Sequence, residues 1–364
     1  MHLSYTLSMY LGRQFLFGFA STMAGLIGII LLFDLAELVQ RATNRESIGF
    51  LMVLQMAFLQ LPFLMQKILP IAVLFGAMFT FTRLTRTHQL VISRGVGVSA
   101  WQFLAPSLFL AVMIGVFTVT VFDPFSSAAI SRFEQLEARH LRGQSSLLAV
   151  SPSGLWLRQT TADGQLVIHA GHVSQQGEEL TDVTIYLYQG TDHFSGRVDA
   201  TSAILRDGFW ELREVLVTGP DQPTRREDIF RLETSLTVSQ IQNSFAPPET
   251  LSFWELPAFI STLREAGFSA LNHRIYWHTL LSLPMLLFAM VLIAATFSLR
   301  AARRGFSGML IAAGVFTGFL LYVVSDVVLA MGLSGAIPVV LAAWAPTGIS
   351  TLLGIAAIFQ FEDG

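Results

Sequence analysis

The sequence has no cysteine and one lysine, and only 13% of its 364 residues are charged. Without cysteine, the chain forms neither disulfides nor thiolate metal sites. The single lysine, Lys67, lies between Gln66 and Ile68. A Walker A phosphate loop needs Gly-Lys-Ser/Thr, so any use of ATP requires a partner. Soluble proteins carry about 25% charged residues. The low charge and the 53% hydrophobic content therefore indicate an integral membrane protein.

Motifs for catalysis and metal binding are also missing from the sequence. Neither the His-Glu-x-x-His motif of zinc enzymes nor the Gly-x-Ser-x-Gly motif of hydrolases occurs, and His169 and His172 have no carboxylate cluster near them in sequence. We therefore expect no catalytic residue, no metal site and no cofactor, and we predict that the chain is not an enzyme.

Long apolar runs, in contrast, are abundant. Segments of about 20 apolar residues are long enough to cross a bilayer as helices. Six are predicted, within residues 15–33, 47–82, 96–122, 275–299 and, as two spans, 306–361. The first is followed by Asp34, Glu37 and Gln40 rather than by a small-residue cleavage site, so we expect it to remain as a helix.

A polar segment, residues 131–249, separates the first three spans from the last three. It is about a third of the chain, yet it holds 16 of the 25 acidic and 10 of the 22 basic residues. Alternating apolar residues at 154–159, 165–170, 184–188 and 230–236 predict half-buried strands, and Asp163-Gly164 and Asp207-Gly208 predict turns. The fold class predicted is membrane α + β, with six transmembrane helices (3+3) and an inserted β domain.

The predicted domains are residues 1–143 for helices 1–3, 144–246 for the β domain, 247–270 for a connector and 271–364 for helices 4–6. Residues 251–267 have apolar side chains at helical spacing. Two interpretations stay open for this connector, a helix lying at the outer membrane surface and an ordinary helix packed at the base of the β domain.

Arginine in the short loops predicts the orientation of the chain. Arg83, Arg86 and Arg94 lie between spans 2 and 3, and Arg300, Arg303 and Arg304 lie between spans 4 and 5, with no acid in either loop. The positive-inside rule makes both loops cytoplasmic. Both termini are then cytoplasmic, and the β domain is periplasmic in a cell with two membranes.

Three groups of residues are candidates for function. The loop at 83–97 predicts a short amphipathic helix that ends at glycine, although its arginines fit a simple role in setting topology equally well. Charges at the outer ends of the spans predict a site for an anionic lipid head group, although snorkelling of each side chain to the interface explains them too. Aromatic residues of the β domain fit its core or an inward face for acyl chains. The loop group is Arg83, Arg86, His88, Gln89, Leu90, Arg94 and Gly95; the head-group set is Asp34, Glu37, Arg41, Lys67, Arg132 and Arg139; the groove set is Trp156, Ile168, Tyr186, Tyr188, Leu205 and Trp210.

Several strings, in this order, resemble the LptF/LptG permease family, and its LptG branch most. The resemblance covers essentially the whole chain. The strings are His88-Gln89-Leu90-Val91 through Gly97, Gly154-Leu155-Trp156, Leu251-Ser252, Pro284 with Phe288 and Met290, Ile337-Pro338 leading to Ala342-Ala343-Trp344-Ala345-Pro346, and Phe361-Glu362-Asp363-Gly364.

The resemblance implies an inner-membrane permease subunit of the lipopolysaccharide export ABC transporter. It implies an LptF-like permease partner, a dimeric LptB-like ATPase that binds the loop helix, an LptC-like single-span protein, and an LptA-like periplasmic bridge that receives lipopolysaccharide from jelly-roll-like β domains. Two positions depart from the family pattern, Gln89 where relatives often carry Glu, and Leu31 where relatives can carry Lys. The alternative is a scaffold or force-transmitting subunit of an ABC complex that carries no lipid itself.

Overall fold

The structure is a computed structural model that describes most of the chain. The described residues are 5–43, 49–95, 97–137, 140, 147–151, 154–161, 164–173, 179–189, 193–206, 208–219, 222–234, 247–265, 269–304 and 307–362. The chain divides into two compact units. The first contains Met1–Phe133, Ser252–Trp254 and Ile275–Gly364, and the second contains Glu134–Leu251 and Glu255–Arg274.

The first unit is made of helices, and the second unit contains helical residues as well as a sheet. In chain order they are α1 (Tyr5–Thr43), α2 (Phe50–Arg86), α3 (Gln89–Gly95), α4 (Ala100–Phe117), α5 (Asp123–Glu137), α6 (Leu256–Glu265), α7 (Leu271–Arg304), α8 (Ser307–Leu333) and α9 (Val339–Glu362). Within the described residues, six helices are long and apolar enough to cross a membrane: Tyr5–Arg41, Phe50–Arg86, Ala100–Glu137, Leu271–Ser298, Ala312–Leu333 and Val339–Gln360. The prediction of three spans on each side of the β domain is confirmed.

Glycine brings the helices of the first unit close together. A Cβ at Gly76 of α2 would lie 2.6 Å from the Cα of Phe19 on α1, and a Cβ at Gly115 of α4 would lie 2.5 Å from the Cα of Pro284 on α7. Small residues at such points let apolar helices approach until their backbones touch, which is how spans gain packing energy where lipid offers no hydrophobic driving force.

A π-helical turn, Thr118–Phe122, interrupts the third span between α4 and α5. The hydroxyls of Thr118 and Thr120 donate to the carbonyls of Ile114 and Val116, each at 2.8 Å. Such turns shift the helix hydrogen bonds by one residue and free a carbonyl. Here the carbonyl of Thr120 accepts a 3.2 Å hydrogen bond from Nε1 of Trp254.

The second unit contains one antiparallel sheet whose strand order follows the sequence, from β1 to β7. The strands are β1 (Leu147–Ser151), β2 (Gly154–Thr161), β3 (Gly164–Val173), β4 (Glu179–Gln189), β5 (His193–Arg206), β6 (Phe209–Gly219) and β7 (Gln222–Glu233). Gly208, at φ 87°, lies in a turn between β5 and β6, where a turn is predicted. Asp163 and Asp207 themselves lie outside the described residues.

The two ends of this sheet meet, so the sheet is rolled. The hydroxyl of Thr234, just after β7, donates a 2.8 Å hydrogen bond to Oε1 of Gln159 on β2, and both side chains are buried. Because β2 and β7 are five strands apart in the sheet order, this contact requires the sheet to curl over its apolar face. The predicted fold class is therefore confirmed, and its jelly-roll-like β domain is, in the described residues, a rolled meander.

The alternation of buried and exposed residues slips by one along a row that crosses three strands. Asp182 on β4 and Glu214 on β6 have left-handed backbones, with φ of 54° and 52°, and Thr201 between them on β5 donates a 2.9 Å hydrogen bond to Oε2 of Glu214. One extra residue of this kind shifts by one position the alternation of side chains between the two faces of the sheet. Buried residues are therefore three apart across the row, instead of two: Leu180 and Val183, Ala200 and Ala203, Leu212 and Val215.

The connector contains α6, and its apolar side faces the sheet. Leu256, Ile260 and Leu263 are buried, and α6 contacts β1 within the second unit. The ring of Phe259 lies 5.0 Å from that of His273. The burial of these side chains is compatible with both interpretations of the connector, which stay open.

Candidate functional site

The link between α2 and α3 lies at an exposed end of the first unit. Arg83 and Arg86 are exposed in the last turn of α2, so they precede the short helix instead of belonging to it. The hydroxyl of Thr87 donates to the carbonyl of Arg83 at 3.0 Å, and His88 has a φ of 59°. A short helix is therefore present within 83–97 and ends at glycine as predicted, but it is shorter than the predicted range. A left-handed residue ends α2, and α3 starts at Gln89.

Local hydrogen bonds fix both ends of α3. The hydroxyl of Ser93 donates to the carbonyl of Gln89 at 2.8 Å. The backbone of Val98 donates to the carbonyl of Ser93 at 3.1 Å across Gly97, whose φ is 88°, as in a glycine C-cap. A capping box of Ser99 and Gln102 then starts α4. The segment is therefore held as a defined projection between two spans.

The exposed surface of this segment is mixed in character. His88 and Gly95 are exposed and Gln89 is half-buried, whereas the side chains of Leu90 and Arg94 lie outside the described residues. Ile92, which was not among the residues predicted to be functional, is 64% exposed. Its only signal is its place in the apolar run that follows Gln89. The segment thus offers an apolar side chain beside arginine and histidine, which suits a protein partner.

A groove of about 490 Å³ lies beside the end of α2. One wall belongs to α2 and the other to α8. Its lining combines apolar side chains with two arginines, and consists of Phe75, Met78, Phe79, Thr82, Arg83, Arg86, Thr87 and Val315.

The predicted head-group residues are only partly brought together. Asp34, Glu37 and Arg41 follow each other at spacings of three and four on α1, which places them on one helix face, and Arg41 pairs with Glu37. Lys67 and Arg132 are exposed on α2 and α5, and Arg139 lies outside the described residues. The structure therefore supports a group on α1 and leaves the wider cluster a prediction.

Asp123 makes buried hydrogen bonds that were not predicted from the sequence. It is 1% exposed at the start of α5. Its carboxylate accepts a 3.0 Å hydrogen bond from Nε2 of Gln66 and a 2.7 Å hydrogen bond from the backbone of Phe253. The only sequence signal is that Asp123 is the first charge after a long uncharged run. It joins α2, the third span and the residues that precede α6.

The predicted groove residues of the β domain divide between the two faces of the sheet. Ile168, Leu205 and Trp210 are buried, at 1%, 7% and 1% exposure, and Ile168 pairs with buried Ile185 across β3 and β4. Trp156 and Tyr186 pair instead with His169 and Val167, and neighbours along a strand point to opposite faces. The prediction of one common inward face is therefore wrong for Trp156, Tyr186 and Tyr188, because each occupies the alternate position of its strand.

The outer face carries a polar and aromatic row of its own. The rings of Trp156 and His169 are 4.3 Å apart, and the hydroxyl of Thr184 donates to Oδ1 of Asp199 at 2.8 Å. Arg197 pairs with Asp199 at 2.7 Å and lies over the ring of Tyr186 at 5.8 Å. The hydrogen bond to Asp199 raises the pKa of Arg197, although an arginine side chain is protonated at physiological pH even without such a partner.

Comparison with known proteins finds relatives of this chain. The family described as lipopolysaccharide export system permease LptF/LptG matches residues 9–359. The lipopolysaccharide export system permease protein LptG of Haemophilus influenzae is 24% identical over 352 residues, covering 94% of this chain and 95% of the relative. The protein of the same name from Escherichia coli K12 is 23% identical over 303 residues, covering 82% of each chain. Because the family match spans nearly the entire sequence, the chain belongs to the LptF/LptG family of lipopolysaccharide export system permeases.

Proposed function

We propose that this chain is a permease subunit of an ABC transporter that extracts lipopolysaccharide from the outer leaflet of the inner membrane and passes it to a periplasmic bridge. Its partners are an LptF-like permease, a dimeric LptB-like ATPase, an LptC-like single-span protein and an LptA-like bridge protein. Both termini are cytoplasmic and the β domain is periplasmic. The chain itself has no catalytic residue, and the partner binds ATP.

The segment from Arg83 to Gly95 is the site of ATPase coupling. Its exposed arginines, His88 and Ile92 give a partner both charge and an apolar contact, and hydrogen bonds at both ends of α3 hold it firmly. When the partner closes on ATP, it favours one of two arrangements of the spans over the other. This bias moves lipid only if the two arrangements bind lipid with different affinity. The projection at α3 transmits that bias because it joins two spans without a long flexible loop.

The single observation that carries the proposal is the rolled sheet with an apolar interior, in a chain of this family. An extramembrane domain that receives acyl chains needs such a surface, shielded from water. Trp210 adds a hydrogen-bond donor to this interior, because its Nε1 is buried and has no hydrogen-bond partner among the described residues. A carbonyl of a lipid ester is a suitable acceptor for that donor.

The alternative function is a scaffold or force-transmitting subunit that carries no lipid. One observation favours it: Leu155, Ile168 and Leu212 are 0%, 1% and 0% exposed, so the interior is already filled by its own side chains. Lipid entry then requires the roll to open. The hydrogen bond between Thr234 and Gln159 is where the described roll closes.

Photocrosslinking separates the two functions. A photoreactive residue at Leu187 or Leu205 probes the interior. Leu187 pairs with Leu166 and Gly196 and is only half-buried, so it has room for a larger side chain. Tyr186, next to it on the outer face, is the matched control.

In membranes of cells that express the whole exporter, we expect lipopolysaccharide adducts at the two interior positions and none at Tyr186. Adducts at Tyr186 alone, or at none of the three positions while the exporter still supports growth, would exclude passage through this sheet and favour the scaffold.

A further inference from the structure

The groove beside the end of α2 has one apolar and one cationic end. Phe75, Met78 and Phe79 lie at its inner part and Arg83 and Arg86 at its outer part. Eleven residues separate Phe75 from Arg86, which is about 16 Å along a helix that rises 1.5 Å per residue. The groove therefore runs along the span from the membrane surface to well inside the hydrocarbon layer.

Close packing of α8 on α2 creates the other wall. A Cβ at Gly318 would lie 2.0 Å from Cδ2 of Leu74, and a Cβ at Gly314 would lie 2.6 Å from Cε of Met78. These two glycines, four residues apart, hold the helices in contact on one side. Val315 then faces the groove, and Val315 and Phe79 stay 37% and 52% exposed.

The lining fits a ligand that is both anionic and apolar. None of the eight described lining residues is acidic, and two are arginines whose planar guanidinium groups suit phosphate. A soluble protein could reach the arginines but not the apolar walls at hydrocarbon depth. Lipopolysaccharide, in turn, lies in the opposite leaflet under the proposed orientation. Basic pockets between spans on the cytoplasmic side are typical sites for phospholipid head groups.

We propose that this groove binds an anionic glycerophospholipid of the cytoplasmic leaflet. Its phosphate contacts Arg83 and Arg86, and an acyl chain lies along Phe75, Phe79 and Val315. The assignment of the leaflet rests on the orientation given under the proposed function. A lipid bound here touches the last turns of α2, which carry α3, so its presence supports the segment that meets the ATPase.

The test measures lipid retention by the full-length tagged chain, co-expressed with its proposed partners and purified in detergent with whatever partners it retains. Native mass spectrometry counts bound phospholipid after incubation with either phosphatidylglycerol or phosphatidylcholine. Val315→Trp fills the groove without changing charge, and Arg83→Gln removes one cation without filling it. Arg13→Gln is the matched control, because Arg13 is an exposed base on α1 that does not line the groove. Thermal unfolding of each variant confirms that it is folded, and Val315→Phe replaces Val315→Trp if the larger side chain prevents folding.

We expect retained phosphatidylglycerol, with little phosphatidylcholine, in the natural sequence and in Arg13→Gln. Arg83→Gln should weaken retention about fivefold, as expected for one interfacial cation, and Val315→Trp should abolish it. Equal retention in Val315→Trp overturns the proposal, and so does an equal loss in Arg13→Gln, since that would indicate general surface charge.

Recovery of the ATPase, scored in the same preparations, tests the proposed function separately. If the natural sequence never recovers an ATPase but Val315→Trp still loses its lipid, the proposed function fails and the lipid site stands.

Discussion

The side-chain amide of Gln66 donates a 3.0 Å hydrogen bond to the carboxylate of Asp123, 57 residues further along the chain. The other carboxylate oxygen accepts from the backbone of Phe253 at 2.7 Å. Asp123 thus ties the second span to the third and to the residues before α6. A carboxylate buried in a spanning helix is costly unless its oxygens are hydrogen-bonded, and these two donors offset that cost.

Asp123→Ala should lower the stability of the protein strongly. It leaves two buried donors without an acceptor, at about 1–3 kcal/mol each. Asp123→Asn should be mild, because the Asn oxygen accepts from Phe253 and its amide donates to Oε1 of a reoriented Gln66. Thermal unfolding in detergent measures both. If Asn proved as harmful as Ala, the charge of Asp123, and not its hydrogen bonds, would be what matters.

Gly76→Ala should loosen the packing of α1 on α2. The added methyl would lie 2.6 Å from the Cα of Phe19, and backbone cannot move aside as a side chain does, so we expect a loss of about 1–3 kcal/mol. Gly25→Ala on α1 is the matched control, since no atom lies within 4 Å of a Cβ there. Melting temperatures that fall equally in both variants would contradict the close approach of the two helices.

The hydrogen bond between Thr234 and Gln159 should appear as coupling in a double-mutant cycle. Thr234→Val alone and Gln159→Leu alone each leave a buried polar partner, at about 1–3 kcal/mol. The double variant removes both partners and should cost less than the sum of the two singles. Chemical unfolding of the whole chain provides the four free energies of unfolding, of the natural sequence, the two single variants and the double variant. Strict additivity would mean that this contact does not close the roll.

Arg86→Glu should reduce assembly with the ATPase. The reversed charge replaces attraction by repulsion at the exposed end of α2, and we expect at least a tenfold lower recovery of the ATPase on a tagged chain. Arg13→Glu, the same reversal on α1, should leave recovery unchanged. Normal recovery with Arg86→Glu would remove this arginine from the coupling site.

Local patterns in the sequence were sufficient for the architecture. Apolar runs with at most one charge each predicted all six spans, and period-two alternation at 154–159 and 165–170 predicted strands that the structure contains as β2 and β3. Other features depended on backbone conformation, which these patterns did not indicate. His88 splits the predicted coupling helix, and Asp182 and Glu214 shift the inward positions of the strands. Side-chain chemistry alone does not reveal a left-handed residue of this kind.

The sequence by itself determined the six spans and four of the seven strands, because hydrophobic burial has a periodicity that neighbouring residues reveal. Only the tertiary structure decided that Asp123 meets Gln66 and Phe253, that Ile168 faces inward while Tyr186 faces outward, and that Val315 completes a groove with Arg83. These relationships join residues far apart in the chain. They depend on helix packing and on the curl of the sheet, which no local pattern encodes.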